Sequence, residues 1–284
     1  MHVHYGDNGL NHLNSAFYPI HTPGTGRIAG NDEDGSRHPF WPDSPPLVTN
    51  SPNTTGLITA YTFIKVDHIK GLEFLVPHPP TTLYRLSHNH SDDSSKDSLP
   101  KVEIVDKAFW KEGEIQYGVY GNLIHESYAY LYAQFDTSNE SVVALARVPT
   151  SQIEYRSSYE YLVNDCWTRD VPSRTTPGLN IANLNGLGQG TYYFCPAWNS
   201  FVWIGGSKFP GASCYITTAP DPTGPWTEVK KFWEGPSGTA DLGAYSIQAH
   251  PAMGLGTEGR NWVWITYTKQ DHGYSTPLVR VEWE

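Results

Sequence analysis

Cysteine is scarce: Cys166, Cys195 and Cys214 are the only three in 284 residues. An odd count allows one bridge at most and leaves at least one thiol over, which excludes a disulfide scaffold. Their spacing fits no zinc pattern either. Helical patterns of any length are missing, which excludes a bundle. No apolar run approaches the ~20 residues of a membrane span, and the start of the chain shows no secretory leader. No membrane partner is therefore expected. Positive charge is also short, with 19 Lys and Arg against 29 Asp and Glu, a net charge of −10. That balance excludes nucleic acid, whose phosphates demand a basic face. It suits an uncharged or weakly cationic ligand, and equally an ordinary acidic surface.

What is abundant is strand and turn material. Aromatics make up 13% of the chain, with ten Trp and eighteen Tyr, set among 26 Gly and 22 Pro. A β-rich unit recurs three times in the second half, anchored by Tyr130-Leu131-Tyr132, Val202-Trp203-Ile204 and Val263-Trp264-Ile265. Each anchor lies in an aromatic and β-branched run: Tyr128 to Phe135, Phe201 to Ile204, Trp262 to Tyr267. A second run follows each: Val142 to Val148, Cys214 to Thr217, Leu278 to Trp283. A segment of small, polar and aromatic residues precedes each: Ile115 to Glu126, Thr191 to Ala197, Tyr245 to His250. The spacing, roughly 60 to 70 residues, exceeds common propeller periods and implies long loops between strands. Such units, stacked around an axis, predict an all-β fold, a β-propeller. Three repeats after residue 114 leave room for about two more blades before it, so five blades are expected in one domain over residues 1–284.

The first 50 residues are loop-dominated. Gly30-Asn31-Asp32-Glu33-Asp34-Gly35 reads as an acidic turn and Trp41-Pro42-Asp43-Ser44-Pro45-Pro46 as a rigid extended stretch. Strands resume at Leu57 to Val66 and Leu72 to Val76, and His88 to Ser98 reads as a solvated loop. The chain opens inside a strand-like run, Met1-His2-Val3-His4-Tyr5, from which a missing N-terminal segment is expected. Sequons at Asn53, Asn89 and Asn139 lie in polar stretches and point to a secreted glycoprotein. A bridge between Cys195 and Cys214 is expected because both lie on one repeat.

Thr217-Thr218-Ala219-Pro220-Asp221-Pro222-Thr223-Gly224-Pro225-Trp226 resembles the TS-x-D-x-x-GPW turn of five-bladed propeller glycosidases such as glycoside hydrolase family 43. Val143-Ala144-Leu145-Ala146-Arg147-Val148-Pro149, continuing to Tyr159-Glu160-Tyr161 and Trp167, resembles a run in the fungal and bacterial glycosidase-like family that includes endo-D-arabinanases. Tyr5-Gly6-Asp7 is similar to that family's YGDT strand, with Asn8 where Thr is usual, and Tyr245 to Pro251 to its last blade, which ends in His-Pro. The resemblance covers most of residues 115–284 and patches before. It implies a five-bladed glycosidase-like propeller; such folds host many activities.

Glycosidic cleavage needs two carboxyl groups, one to protonate the leaving oxygen and one to activate water or attack the sugar. The resemblance makes Asp7 the catalytic strand end; by itself Asp7-Asn8-Gly9 is also a good turn. Asp32 stands where the family places its second Asp, although the loop from Asn8 to Asn31 is longer here. It is equally part of a solvated turn, or of a cation loop with Asn31 and Asp34 as oxygen ligands. Glu114 is the next candidate, as proton donor, with Glu126 behind it. Gln116, Tyr117, Tyr193, Tyr245, Gln248 and His250 lie in the three segments assigned to inner strands and suit sugar binding, aromatic faces stacking on C–H surfaces and polar ends bonding hydroxyls. His250 also suits a channel position holding water or a cation. The histidines at 2, 4, 12 and 21 follow no zinc spacing.

The leading expectation is a secreted, monomeric glycoside hydrolase acting on a furanose- or pentose-containing polysaccharide. It requires no cofactor and no catalytic metal; a structural cation such as Ca2+ in the axial channel is compatible with it. A lyase or isomerase using Tyr117 and His250 is a second class, weakened because the inner segments hold no Lys or Arg to neutralise an acidic substrate. An inactive glycan-binding propeller is the third.

Overall fold

A computed structural model describes residues 18–19, 34–51, 56–89, 99–138, 140–184, 187–239, 243–254, 261–271 and 273–283. Within them the chain forms four antiparallel sheets in sequence order. The first blade is β1 (Leu47–Asn50), β2 (Leu57–Lys65), β5 (Thr81–Asn89) and β6 (Lys101–Trp110), with a small ribbon of β3 (Ile69–Lys70) and β4 (Glu73–Phe74) between its second and third strands. The second blade is β7 (Gly121–His125), β8 (Tyr128–Asp136), β9 (Ser141–Pro149), β10 (Glu160–Val163) and β11 (Cys166–Thr168). The third is β12 (Gly190–Cys195), β13 (Ser200–Gly206), β14 (Ser213–Ala219) and β15 (Lys230–Glu234). The fourth is β16 (Ala244–His250) and β17 (Trp262–Gln270), which pairs with both β18 (Tyr274–Ser275) and β19 (Leu278–Glu282). The first strands of successive blades touch, β1 on β7, β7 on β12 and β12 on β16. This is a β-propeller arrangement of four blades. The fifth blade expected from the repeats is not among the described residues.

The repeat anchors all fall on second strands, β8, β13 and β17. β8 and β13 are buried nearly throughout because neighbouring blades cover both their faces, whereas β17 buries alternate residues on the face toward the third blade. Period-two alternation then sorts side chains between interfaces. On β8, Ala129, Leu131, Ala133 and Phe135 join the core shared with the first blade. Tyr130 and Tyr132 join the core shared with the third. On β13, Phe201 and Trp203 face the second blade, and Val202 and Ile204 the fourth. The three cores are therefore the three interfaces between consecutive blades.

Among the described residues helix is limited to three short 3-10 segments, Thr150–Gln152, Arg156–Ser158 and Pro251–Gly254. No helix of the described residues is long and apolar enough to cross a membrane. The proposed Cys195–Cys214 bridge is corrected: all three cysteines are free. Cys195 pairs with Ser200 at one end of β13 and Cys214 with Gly206 at the other. Six residues of strand between those ends, about 20 Å, put the pair beyond disulfide reach. Burial pushes the Cys214 thiol up to about 12. Of the sequon asparagines, Asn53 and Asn139 lie outside the described residues, and Asn89 is half-buried at the end of β5.

The tightest joint in the stack is aromatic. Tyr132 lies face to face on Tyr192, centroids 3.8 Å apart at 4°, and its hydroxyl donates to the Pro222 carbonyl at 2.7 Å. Tyr192 comes so close to β7 that a Cβ on Gly121 would meet its ring at 2.4 Å. Gly121→Ala should therefore destabilise the fold by about 1–3 kcal/mol, read as a lowered urea midpoint with an unchanged slope. A midpoint equal to wild type would show that the Tyr132–Tyr192 stack yields freely.

Candidate functional site at the propeller axis

Antiparallel alternation places the start of each first strand and each turn between second and third strands on the same face of the propeller. Asp43 lies on this face, in the proline-stiffened Trp41 to Pro46 stretch that leads into β1, and it gathers groups from several blades. Lys65, the last residue of β2, approaches its Oδ2 at 3.0 Å. The Gln189 amide, just before β12, donates to its Oδ1. The Gln248 amide on β16 donates to its backbone carbonyl at 3.0 Å. The Gln248 oxygen accepts from Thr191 Oγ1 at 2.8 Å, and Thr191 Oγ1 accepts from the Ala249 N–H at 3.0 Å. Next to Asp43, the Ser44 hydroxyl donates to the Gly118 carbonyl at 3.1 Å and accepts from Asn122 on β7, also at 3.1 Å. All four blades thus meet on two consecutive residues.

Lys65 serves a second carboxylate as well. Asp67 Oδ2 lies 3.9 Å from its Nζ and has no hydrogen-bond partner. The Asp67 side chain is 2% exposed, against 12% for Asp43. Burial raises the Asp67 pKa; Lys65 offsets part of the rise and Asp43 adds to it. For Lys65, burial alone would lower the pKa, but Asp43 and then Asp67 outweigh it and drive it above the ordinary lysine value. The ammonium thus occupies the cation position between the two carboxylates, and these residues do not fit a metal there. Among the described residues no group of three or more His, Cys, Asp or Glu is arranged to hold one.

Behind Asp67, its backbone carbonyl meets His38 Nδ1 at 3.1 Å. His38 stacks on His68, centroids 4.2 Å apart at 15°. His68 Nε2 lies 2.8 Å from Ser36 Oγ, which donates to Asp34 Oδ1 at 2.6 Å. The hydroxyl and N–H of Ser36 hold the Asp34 carboxyl below its usual value. Nearby the β3–β4 ribbon exposes Leu72 and Phe74.

The residues singled out from sequence are dispersed relative to this centre. Asp7 and Asp32 lie outside the described residues. Glu114 precedes β7 by seven positions, and its Oε2 pairs with Arg156 at 2.9 Å and accepts from the Lys111 N–H at 2.7 Å. Gln116 donates to the Pro79 carbonyl at 2.5 Å. Tyr117, expected on an inner strand, is instead wholly buried between the first two blades against Trp110 and Tyr161, with its pKa driven up by burial. That placement removes it as an acid or base at the axis. Tyr193 is half-buried and packs into the core between the third and fourth blades. His250 bonds Thr266 at 2.7 Å, and burial lowers its pKa. Of the expected binding residues only Gln248 touches the Asp43 centre, while Tyr245 lies nearer the mouth on the same strand. Asp43, Lys65, Asp67 and Gln189 were missed. The available signal was Lys65-Val66-Asp67 closing the otherwise apolar run Leu57 to Ile64.

The pattern of the family described as a domain of unknown function (DUF5005) matches residues 33–270, and the chain belongs to that family. No curated protein matches. A provisionally named hydrolase from Bacteroides ovatus ATCC 8483 is similar in structure, with a TM-score of 0.56 at 16% identity over 87% of this chain and 59% of that one. The chain thus spans about three fifths of that protein. An exo-1,5-α-L-arabinanase from a bovine ruminal metagenomic library gives 0.48 at 10% identity over 93% and 82%. A family 117 glycoside hydrolase from Zobellia galactanivorans gives 0.40 at 10% over 83% and 65%. At such identities likeness speaks for the fold, and the fold argument rests on the first structure.

The Asp67 environment has a measurable pH signature. A carboxyl whose folded pKa lies above its unfolded value contributes stability that is complete below the unfolded value, 3.8 here, and is lost as pH rises through the folded one. Asp67→Asn removes that loss. The stability of the variant relative to wild type should rise as pH increases above that unfolded value in urea unfolding. A fall instead would mean that attraction to Lys65 outweighs burial.

Proposed function

We propose that this propeller is a glycoside hydrolase that cleaves a furanose- or pentose-containing polysaccharide without a cofactor. The observation that carries the reading is Asp43, a carboxylate placed where four blades converge and still partly open to the mouth. Hydrolysis splits water across the glycosidic bond: hydroxide adds to the anomeric carbon and a proton goes to the leaving oxygen. Asp43 is assigned one of the two carboxyl roles. Asp7 is assigned the other on the strength of its resemblance, with Asp32 as the alternative. Asp67 is too buried to touch a sugar; its part is to position Lys65, and through it Asp43. The resemblance of Val143 to Trp167 and of Thr217 to Trp226 to glycosidase propellers supports the same activity class. It also supports a five-blade count.

Asp43→Asn and Asp7→Asn should each lower turnover by about a thousandfold or more. Asp7→Asn should leave the thermal melt near wild type, whereas Asp43→Asn should also lower it, because the amide loses the ion pair with Lys65. The measurement is product release from a panel of neutral plant and fungal polysaccharides. Wild-type rates in both variants would overturn the assignment.

One observation favours a second reading, a propeller that binds glycans without cutting them. Both Asp43 oxygens are already engaged, one by Gln189 and the other by Lys65. Binding without product release would establish it.

The sequons also support secretion. Expression in a secreting eukaryotic host should give a product whose gel mobility shifts on endoglycosidase treatment. No shift would remove the main support for secretion.

A further inference from the structure

Three aromatic rings meet at the mouth beside the start of β16. Phe209, in the turn between β13 and β14, is 54% exposed, and Tyr274, on β18, is 64% exposed. Tyr245 lies between them, its ring 5.5 Å from that of Phe209 and its hydroxyl near enough to the Tyr274 side chain that, after burial, Tyr274 raises its pKa. Two exposed rings gathered around a third set this patch apart from single exposed aromatics such as Tyr155. The backbone holds the group together, since the Gly211 N–H donates to the Ala244 carbonyl at 2.6 Å and ties the Phe209 turn to β16.

The strand beneath links the cluster to the axis. Tyr245 and Gln248 stand on one inner strand about 10 Å apart. Pairing with β17 slips between these two residues, and Ser246 takes the left-handed conformation at φ 57°. That bulge shifts the alternation, so Ala244, Ile247 and Ala249 share the core between blades. Tyr245 and Gln248 are thereby left for the mouth and the axis. The cluster is a continuation of the Asp43 centre.

Its charge defines what it takes. The flanking cations are matched: Lys208 pairs with Asp136 at 3.6 Å and Lys269 with Asp271 at 2.9 Å. A uronate or sulfated sugar would meet no uncommitted positive charge from them and would face a protein of net charge −10. Open ring faces with a phenol at their edge suit the C–H face and hydroxyls of a neutral sugar.

We propose that Phe209, Tyr245 and Tyr274 form a platform for a neutral sugar residue displaced from the axial carboxylate, so that the ligand is a chain of uncharged sugars and not a single glycoside. The choice of a glycan rests on the glycoside hydrolase reading; the platform itself is tested by binding.

The experiment is affinity electrophoresis in native gels cast with soluble arabinan, arabinoxylan or mixed-linkage glucan, and with polygalacturonate as the acidic comparator. The Asp43→Asn protein is used so that the gel is not digested. It should be retarded by at least one neutral polymer and not by polygalacturonate. Adding Phe209→Ala and Tyr274→Ala should weaken retardation about tenfold, while Phe209→Tyr with Tyr274→Phe preserves it. Both positions are exposed, and circular dichroism confirms folding of each variant. Unchanged retardation in the double alanine variant, stronger retardation by polygalacturonate, or none by any neutral polymer would overturn the platform. Retardation lost with the alanines, together with no product from the wild type on the same polymers, would sink the hydrolase reading and leave the platform standing.

Discussion

The structure turns on one ion pair, Asp43 with Lys65. A buried ammonium and carboxylate repay their desolvation only when geometry is good and remaining polar atoms are met. Here the second oxygen of Asp43 is met by Gln189, its carbonyl by Gln248, and its neighbour Ser44 by Asn122. Each partner comes from a different blade or its leading segment. Breaking the pair would therefore do more than expose a charge. It would loosen the one place where blades that otherwise pack only on their neighbours are joined through a common centre.

This explains a contrast in the interior. Between blades the packing is apolar and aromatic, with Tyr132 on Tyr192 and Trp203, Phe201 and Leu131 wholly enclosed. At the axis it is polar and fully specified. Apolar faces supply most of the stabilisation but tolerate sliding; hydrogen bonds to fixed donors do not. Asp67 sits at the extreme of the polar set. Its unmet oxygen, held near Lys65 without a hydrogen bond, is the kind of cost that persists where a site constrains the side chains around it.

The blades were legible because the sandwiching of β8, β9 and β13 leaves long apolar runs, and the repeat of Tyr130-Leu131-Tyr132 at Val202 and Val263 is a local pattern. Inner strands were legible where composition marked them, at β12 and β16. At Ile115 to Glu126 only the second half is strand, so Gln116 and Tyr117 fell in a connecting loop. The axial centre was not legible. Asp43 meets Gln189 across 146 positions and Gln248 across 205, and nothing local in Trp41 to Pro46 distinguishes a rigid linker from a site. The Cys195–Cys214 bridge failed for a related reason: membership in one repeat says nothing about which ends of its strands meet.

The bulge at Ser246 has a consequence for how such a protein diversifies. By resetting the phase of β16, it divides one strand into a half that serves the rim and a half that serves the axis. Substitutions or length changes on the Tyr245 side need not re-register Gln248 against Thr191 and Asp43. A lineage can therefore exchange the surface that selects a partner while the inherited axial geometry stays intact, making the strand a hinge point for specificity in evolution and a natural site for grafting in the laboratory.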